Sequence, residues 1–160
     1  MTPAIDAAKK AKTAFNIHQY EHDPGAAYGL EAAHKLALDP AQVFKTLMLQ
    51  TDKGPTALAV AVIPVAATLD LKAAAKALKF KKVMMADPQI AQRLTGYLLG
   101  GISPLGQKRS FPTLIDASAE PMSAIFVSAG RRGLEIELAP GDLCRLTRAH
   151  FAGIAKFKES

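Results

Sequence analysis

The stretch GYLLGGISPLGQKRSFP, from Gly96 to Pro112, constrains this chain more than any other. Its two adjacent glycines, Gly100 and Gly101, lift the steric bar on positive φ and let a neighbouring group approach the backbone closely. Pro104 fixes its own φ and pushes Ser103 towards extended geometry. The product is a bend of defined shape. The N–H groups of Gly101, Ile102 and Ser103 are candidates for holding a carbonyl or phosphate oxygen, as donors do in oxyanion sites. Glycine pairs and Ser-Pro are also common punctuation between two elements, so the bend alone assigns no site.

Local signals define the elements on either side. Thr2-Pro3 is a capping hydroxyl followed by Pro at the first helical position, and an Ala- and Lys-rich helix runs on to about Thr13. Residues 15–22 alternate as a strand, ended by a turn at Asp23-Pro24-Gly25. Helical spacing of Leu30, Ala33, His34 and Ala37 gives a second helix near residues 29–37, and Asp39-Pro40 opens a further short helical turn. Residues 43–49 and 58–65 are apolar strands joined by a hairpin turn at Asp52-Lys53-Gly54. Asp70 caps a helix over residues 71–78, residues 83–85 form a short strand, and Asp87-Pro88 opens a helix that Gly96 closes. Strands follow at 113–116, 124–128 and 134–138, the last two joined through Arg131-Arg132-Gly133, and a helix runs from Gly141 through Arg148.

Mixed helices and hairpin-joined strands imply an α+β domain, with a curved, mostly antiparallel sheet surrounded by helices. No G-x-G-x-x-G follows a strand, which argues against a dinucleotide fold. The 160 residues suit one domain, and the 49% apolar share is enough for a sizeable core. No apolar run is long enough to cross a bilayer, and the lysine-bearing N-terminus lacks a secretory h-region, so no membrane association is expected. A single cysteine, Cys144, excludes a disulfide framework and fits a reducing cytoplasm. The net charge of +6 favours an anionic partner such as nucleic acid.

Lys45 is the first candidate for chemistry, because it lies inside an apolar strand with Val43, Leu47 and Leu49 on its face. An amine there costs free energy unless it reaches water, an anion or a carbonyl. It could bind phosphate or polarise an ester; it could equally snorkel at a strand end. His18, Tyr20 and His22 share the other face of the first strand. His18 and His22 would stand about 13 Å apart, too far to chelate one ion, so a metal site is not expected. Cys144 sits between Leu143 and Arg145 with no base at hand and reads as a structural thiol. Neither a G-x-S-x-G nor another serine triad is evident. Glu135 and Glu137 point to one face and could do acid–base work, though such alternation is more often a sheet's solvated side. The pairs Lys81-Lys82, Lys108-Arg109 and Arg131-Arg132 could together form a phosphate-binding rim, or be separate solubilising charges.

Over nearly its whole length the chain resembles the YbaK family of aminoacyl-tRNA deacylases. The resemblance rests on YEHDP at Tyr20 to Pro24, QVFKTL at Gln42 to Leu47 and LAVAVIPVA at Leu58 to Ala66. It continues in MADP at Met85 to Pro88, TGYLLGGISPLGQK at Thr95 to Lys108 and RGLEIELAPGDL at Arg132 to Leu143. It is most similar to the branch that clears cysteine from tRNA(Pro). That implies the YbaK-type mixed α/β domain over residues 1–160, no metal or other cofactor, and an aminoacylated tRNA 3′ end as partner, with prolyl-tRNA synthetase as a further one. It implies an essential lysine at Lys45 and a G-x-x-x-P loop at Gly100 to Pro104, with Gly101 and Ser103 in catalytic roles. It also implies Tyr20, Thr46, Gly100, Ile102, Pro104, Ser128 and Glu135 as the substrate pocket. The family's usual Asp in the final strand is Glu135 here, one methylene longer. The implied chemistry needs no protein nucleophile, because the substrate's own thiol attacks its ester carbonyl. Two rival readings are an editing enzyme for another small amino acid, such as alanine, and a non-catalytic tRNA- or synthetase-binding module.

Overall fold

A computed structural model describes residues 1–24 and 28–157. Helix α1 (Pro3–Lys10) starts as its sequence requires: the Thr2 hydroxyl accepts from Ile5 N–H at 3.2 Å and donates to the Ala129 carbonyl. Strand β1 (Asn16–Gln19) is shorter than its alternation suggested. Beyond Gln19 the chain follows the tip of a later hairpin, with Tyr20 N–H donating to Gly133 O at 2.9 Å. The turn expected at Asp23-Pro24-Gly25 includes Gly25, which lies outside the described residues. Helix α2 (Tyr28–Lys35) follows. Asp39-Pro40 opens one hydrogen-bonded turn, Gln42 N–H donating to Asp39 O at 2.9 Å, and no continuing helix follows. Asp39 Oδ1 accepts from Ala41 N–H at 2.9 Å, and this local Asp turn competes with helix.

Strands β2 (Phe44–Thr51) and β3 (Leu58–Pro64) form the expected hairpin, in register from Phe44 opposite Pro64 to Gln50 opposite Leu58. Two-residue β4 (Thr68–Leu69) leads to α3 (Leu71–Leu78), capped by Asp70 through Ala73 N–H at 3.0 Å. After β5 (Val83–Met85), Asp87 caps α4 (Pro88–Thr95), and Gly96 ends it at φ +83°. Strand β6 (Thr113–Asp116) is followed by the hairpin β7 (Ile125–Arg131) and β8 (Leu134–Leu138). Helix α5 (Pro140–Thr147) opens on Pro140, not Gly141, as suits a proline at the first helical position. Two strands the sequence did not announce complete the chain, β9 (His150–Ala152) and β10 (Ala155–Lys156).

What the pattern suggested as one sheet is divided among three. The largest has the order β5-β2-β3-β6-β9, antiparallel as far as β3 and parallel at β3/β6 and β6/β9. A second, antiparallel throughout, has the order β1-β8-β7, and β10 pairs with β4. The α+β class with mostly antiparallel pairing holds. Strand β3 is buried along its whole length because both of its faces are covered. Leu58, Val60 and Val62 enter the main cluster with Ile5, Leu94, Ile115 and Ile136. Ala59, Ala61 and Ile63 pack instead beneath α3, with Ala74, Leu114 and Ile154. The two larger sheets meet where Val43 bridges Phe126, and these residues pack with Ala32, Ala33 and Val65. No described helix is long and apolar enough to cross a membrane.

Candidate active site

A cavity of about 370 Å³ opens at that meeting of sheets. Its walls come from four places. The start of β2 supplies Phe44, Lys45, Thr46 and Leu47; the bend after α4 supplies Leu99, Gly100 and Ile102. The second sheet supplies Ser128 and Glu135, and Tyr20 and Leu30 come from the segments flanking α2 and within it. Lys45 and the glycine bend therefore line one space, which seven of the ten sequence candidates surround.

Lys45 is half-buried, and burial lowers its ammonium pKa below the ordinary lysine value. No carboxylate of the described residues lies within ion-pair distance of it. Next to it, Thr46 Oγ1 is buried without a hydrogen-bond partner among those residues. Glu135 faces Ser128 on one neighbouring strand and His18 on the other. It is only 6% exposed, so the solvated-face reading of this strand fails at this position. Desolvation pushes its carboxyl up to about 8, making the neutral acid the main form near pH 7. Burial, and after it the charge of Glu135, raise the Tyr20 phenol as well. Glu137, two residues on, does meet the expectation of a more open position: it holds His18 at 2.9 Å.

The bend is stiff for reasons its sequence carries. Gly100 has φ +85°, which a side chain would strain. A Cβ on Gly101 would come within 2.5 Å of Arg131 Cα, so the bend lies directly on the β7–β8 hairpin. Tyr97 reaches past the bend and donates its hydroxyl to Leu105 O at 2.5 Å. Three of the expected residues lie outside this lining. The Gly101 N–H donates to Leu98 O at 3.0 Å within the turn. Ser103 is fully buried, and its hydroxyl accepts from Leu105 N–H at 3.2 Å, so it braces the turn and does not face the cavity. Pro104 lines a different cavity, of about 330 Å³. Gly100 and Ile102 are left as the lining residues of the bend whose N–H groups have no partner among the described residues.

Sequence reasoning missed the apolar lining. Leu30 and Leu99 are 48% and 47% exposed at the cavity, and Phe44, Leu47 and Val65 complete it. A usable signal was present for Leu99: it precedes two glycines, where no strand or helix face can bury it. Cys144 lies elsewhere, half-buried, its thiol directed at Ala149 O. Among the described residues no group of three or more His, Cys, Asp or Glu could hold a metal ion. The lining supplies an ammonium, neutral hydrogen-bonding groups and an apolar wall, with no cysteine or histidine among them. Such a set can hold a small acyl ester and stabilise charge on its oxygen; it offers no nucleophile activated by a base.

The aminoacyl-tRNA editing domain matches residues 22–146 of this chain. The chain belongs to the aminoacyl-tRNA editing domain family. It is 39% identical over 154 residues to a candidate Cys-tRNA(Pro)/Cys-tRNA(Cys) deacylase, EbsC, of Enterococcus faecalis, covering 96% of this chain and 92% of that one. The crystal structure of a candidate trans-editing enzyme for prolyl tRNA synthetase superposes with a TM-score of 0.81 at 20% identity, over 96% of this chain and 92% of that chain. Hypothetical protein APE2540 does so at 0.85 and 20% identity, over 96% and 99%. These last two show the shared fold.

Proposed function

We propose that the protein is a trans-editing deacylase that removes cysteine from mischarged Cys-tRNA(Pro). The observation that carries this is Lys45: a desolvated ammonium with no acidic partner among the described residues, in one cavity with the bend at Gly100 and Ile102. An amine held at such a cost is one whose partner arrives with the substrate. The ester carbonyl lies between Lys45 and the bend. The ammonium and the Ile102 N–H stabilise the negative charge that grows on its oxygen. The cysteinyl sulfur attacks that carbonyl carbon, the ester C–O bond breaks, and the ribose hydroxyl takes up the proton. Tyr20, Thr46, Ser128 and neutral Glu135 orient the acyl group, and the apolar lining excludes competing water. The identity to the Enterococcus deacylase supports the substrate. On this reading residues 1–160 act as one editing unit in the cytoplasm, beside prolyl-tRNA synthetase.

The test is deacylation of Cys-, Ser- and Ala-tRNA(Pro) by wild type and Lys45→Ala. The expected order is Cys far above Ser and Ala, with turnover abolished in Lys45→Ala while the circular dichroism spectrum is unchanged. Equal rates for Cys and Ala would exclude the thiol-assisted route. Binding of charged tRNA with no ester loss at any enzyme concentration would leave only a binding module.

A further inference from the structure

We propose that the second cavity binds a backbone phosphate of the tRNA close to its acylated end. This rests on the editing reading and adds how the polyanion is held outside the reaction cavity. The second cavity, of about 330 Å³, is lined by Arg109 from the segment after the bend and by Arg148 from the residue that ends α5. Ser110 adds a hydroxyl beside them; the Thr147 hydroxyl, also in the lining, donates to Leu143 O at 2.7 Å. Both arginines are exposed, and neither is in ion-pair distance of a carboxylate of the described residues. Two guanidinium forks from separate elements, with the Ser110 hydroxyl in the same lining, suit the oxygens of a phosphate.

The end of α5 would repel an anion if its last carbonyls were bare. Two of them are occupied, Cys144 O accepting from Ala149 N–H at 2.9 Å and Arg145 O from Arg148 N–H at 3.3 Å, and the positive charge of Arg148 at the helix end offsets the others. The cavity is also next to the first one. Ile102 lines one and Pro104 the other, two residues apart and so within about 7 Å along the backbone. An RNA 3′ end seated in the first cavity has its next phosphates near the second. The net charge of +6 attracts the polyanion from a distance, and these two arginines fix where it is gripped.

The test compares wild type with Arg109→Ala/Arg148→Ala and Arg109→Lys/Arg148→Lys. Dissociation constants for uncharged tRNA(Pro) are measured by filter binding across a salt series. Turnover is measured on Cys-tRNA(Pro) and on 2′(3′)-O-cysteinyladenosine, which has no phosphate. The double alanine variant is expected to bind tRNA about tenfold more weakly, with the slope of log K against log salt smaller by about one to two. Its KM for Cys-tRNA(Pro) rises in step, its turnover of cysteinyladenosine is unchanged, and the lysine variant recovers most of the slope. An unchanged tRNA affinity and salt slope overturn the proposal. So does an equal loss on cysteinyladenosine, which would make the arginines supports of the first cavity. Tight inorganic phosphate binding that leaves tRNA affinity untouched also overturns it, in favour of a free-anion site. If wild type cleaves no ester, the editing reading fails, while the salt series on uncharged tRNA still decides this one.

Discussion

Lys45 and Glu135 are ionisable groups on the wall of one cavity, and burial opposes the charged form of each. For Lys45 the folded chain recovers nothing visible in return, so removing the charge should relieve the protein. Lys45→Met is expected to melt at the same or a higher temperature than wild type while losing at least roughly 100-fold in deacylation. A calorimetric scan beside the Cys-tRNA(Pro) assay checks both halves, and a large fall in melting temperature would make Lys45 a structural residue. Glu135 titrates near 8 in the folded chain against an ordinary 4.5. Between those values the native state holds the proton that the unfolded chain has lost. Stability therefore falls as pH rises from about 4.5 to 8 and levels off above. Glu135→Gln keeps the shape without the titration and should flatten that fall, leaving the variant more stable than wild type at pH 9. Urea unfolding at three pH values reads it; parallel curves for the two proteins would show that Glu135 ionises normally.

The bend between α4 and β6 shows how far an element could be read in advance. Gly100, Gly101 and Pro104 announced a fixed shape, and Gly100 does take positive φ. What the residues could not announce was which N–H groups the fold would consume, since Gly101's partner, Leu98 O, depends on how tightly the turn closes. Glu135 was misread for a related reason. The alternation of β8 marked its apolar face, but only the tertiary arrangement says that the opposite face is covered too at Glu135 and left more open at Glu137. Lys45 was legible because a cation in an apolar run is anomalous under either reading. The contact of Gly101 with the β7–β8 hairpin gives a prediction at this scale. Gly101→Ala places a methyl within 2.5 Å of Arg131 Cα, where backbone, not a flexible side chain, must move. Deacylation should fall at least about tenfold, because the bend shifts as a unit against Lys45. Tyr97→Phe is the milder companion. It leaves the buried Leu105 carbonyl without its 2.5 Å donor and should cost about 1–3 kcal/mol in urea unfolding. Wild-type activity in Gly101→Ala would mean that the bend does not set the cavity's shape.

At the scale of the molecule, the cavity lined by Lys45 exists only where two sheets dock. Lys45 and Thr46 belong to one, Ser128 and Glu135 to the other, and Val43 against Phe126 is the join. That division was not legible in the sequence. Strand identity came from local pattern, but pairing partners are set by contacts such as β6 beside β3 and β9, which connect distant segments in parallel. Strands β9 and β10 are three and two residues long, too short for any period to appear. The join offers a way to separate stability from site geometry. Phe126 is buried among Ala32, Ala33, Val43 and Val65, with its ring edge-on to His18 at a centroid distance of 5.3 Å. Phe126→Leu removes part of that packing and should cost about 1–2 kcal/mol, against about 0.5–1.5 kcal/mol for Ile154→Val in the cluster under α3. The two variants thus lose comparable stability at different distances from the cavity. If sheet docking sets the spacing between Lys45 and Glu135, Phe126→Leu lowers kcat/KM for Cys-tRNA(Pro) several-fold while Ile154→Val leaves it near wild type. Urea midpoints and steady-state rates at one temperature decide it. Equal activity in the two variants would mean that each sheet holds its own half of the site rigidly, and that the join contributes only to folding.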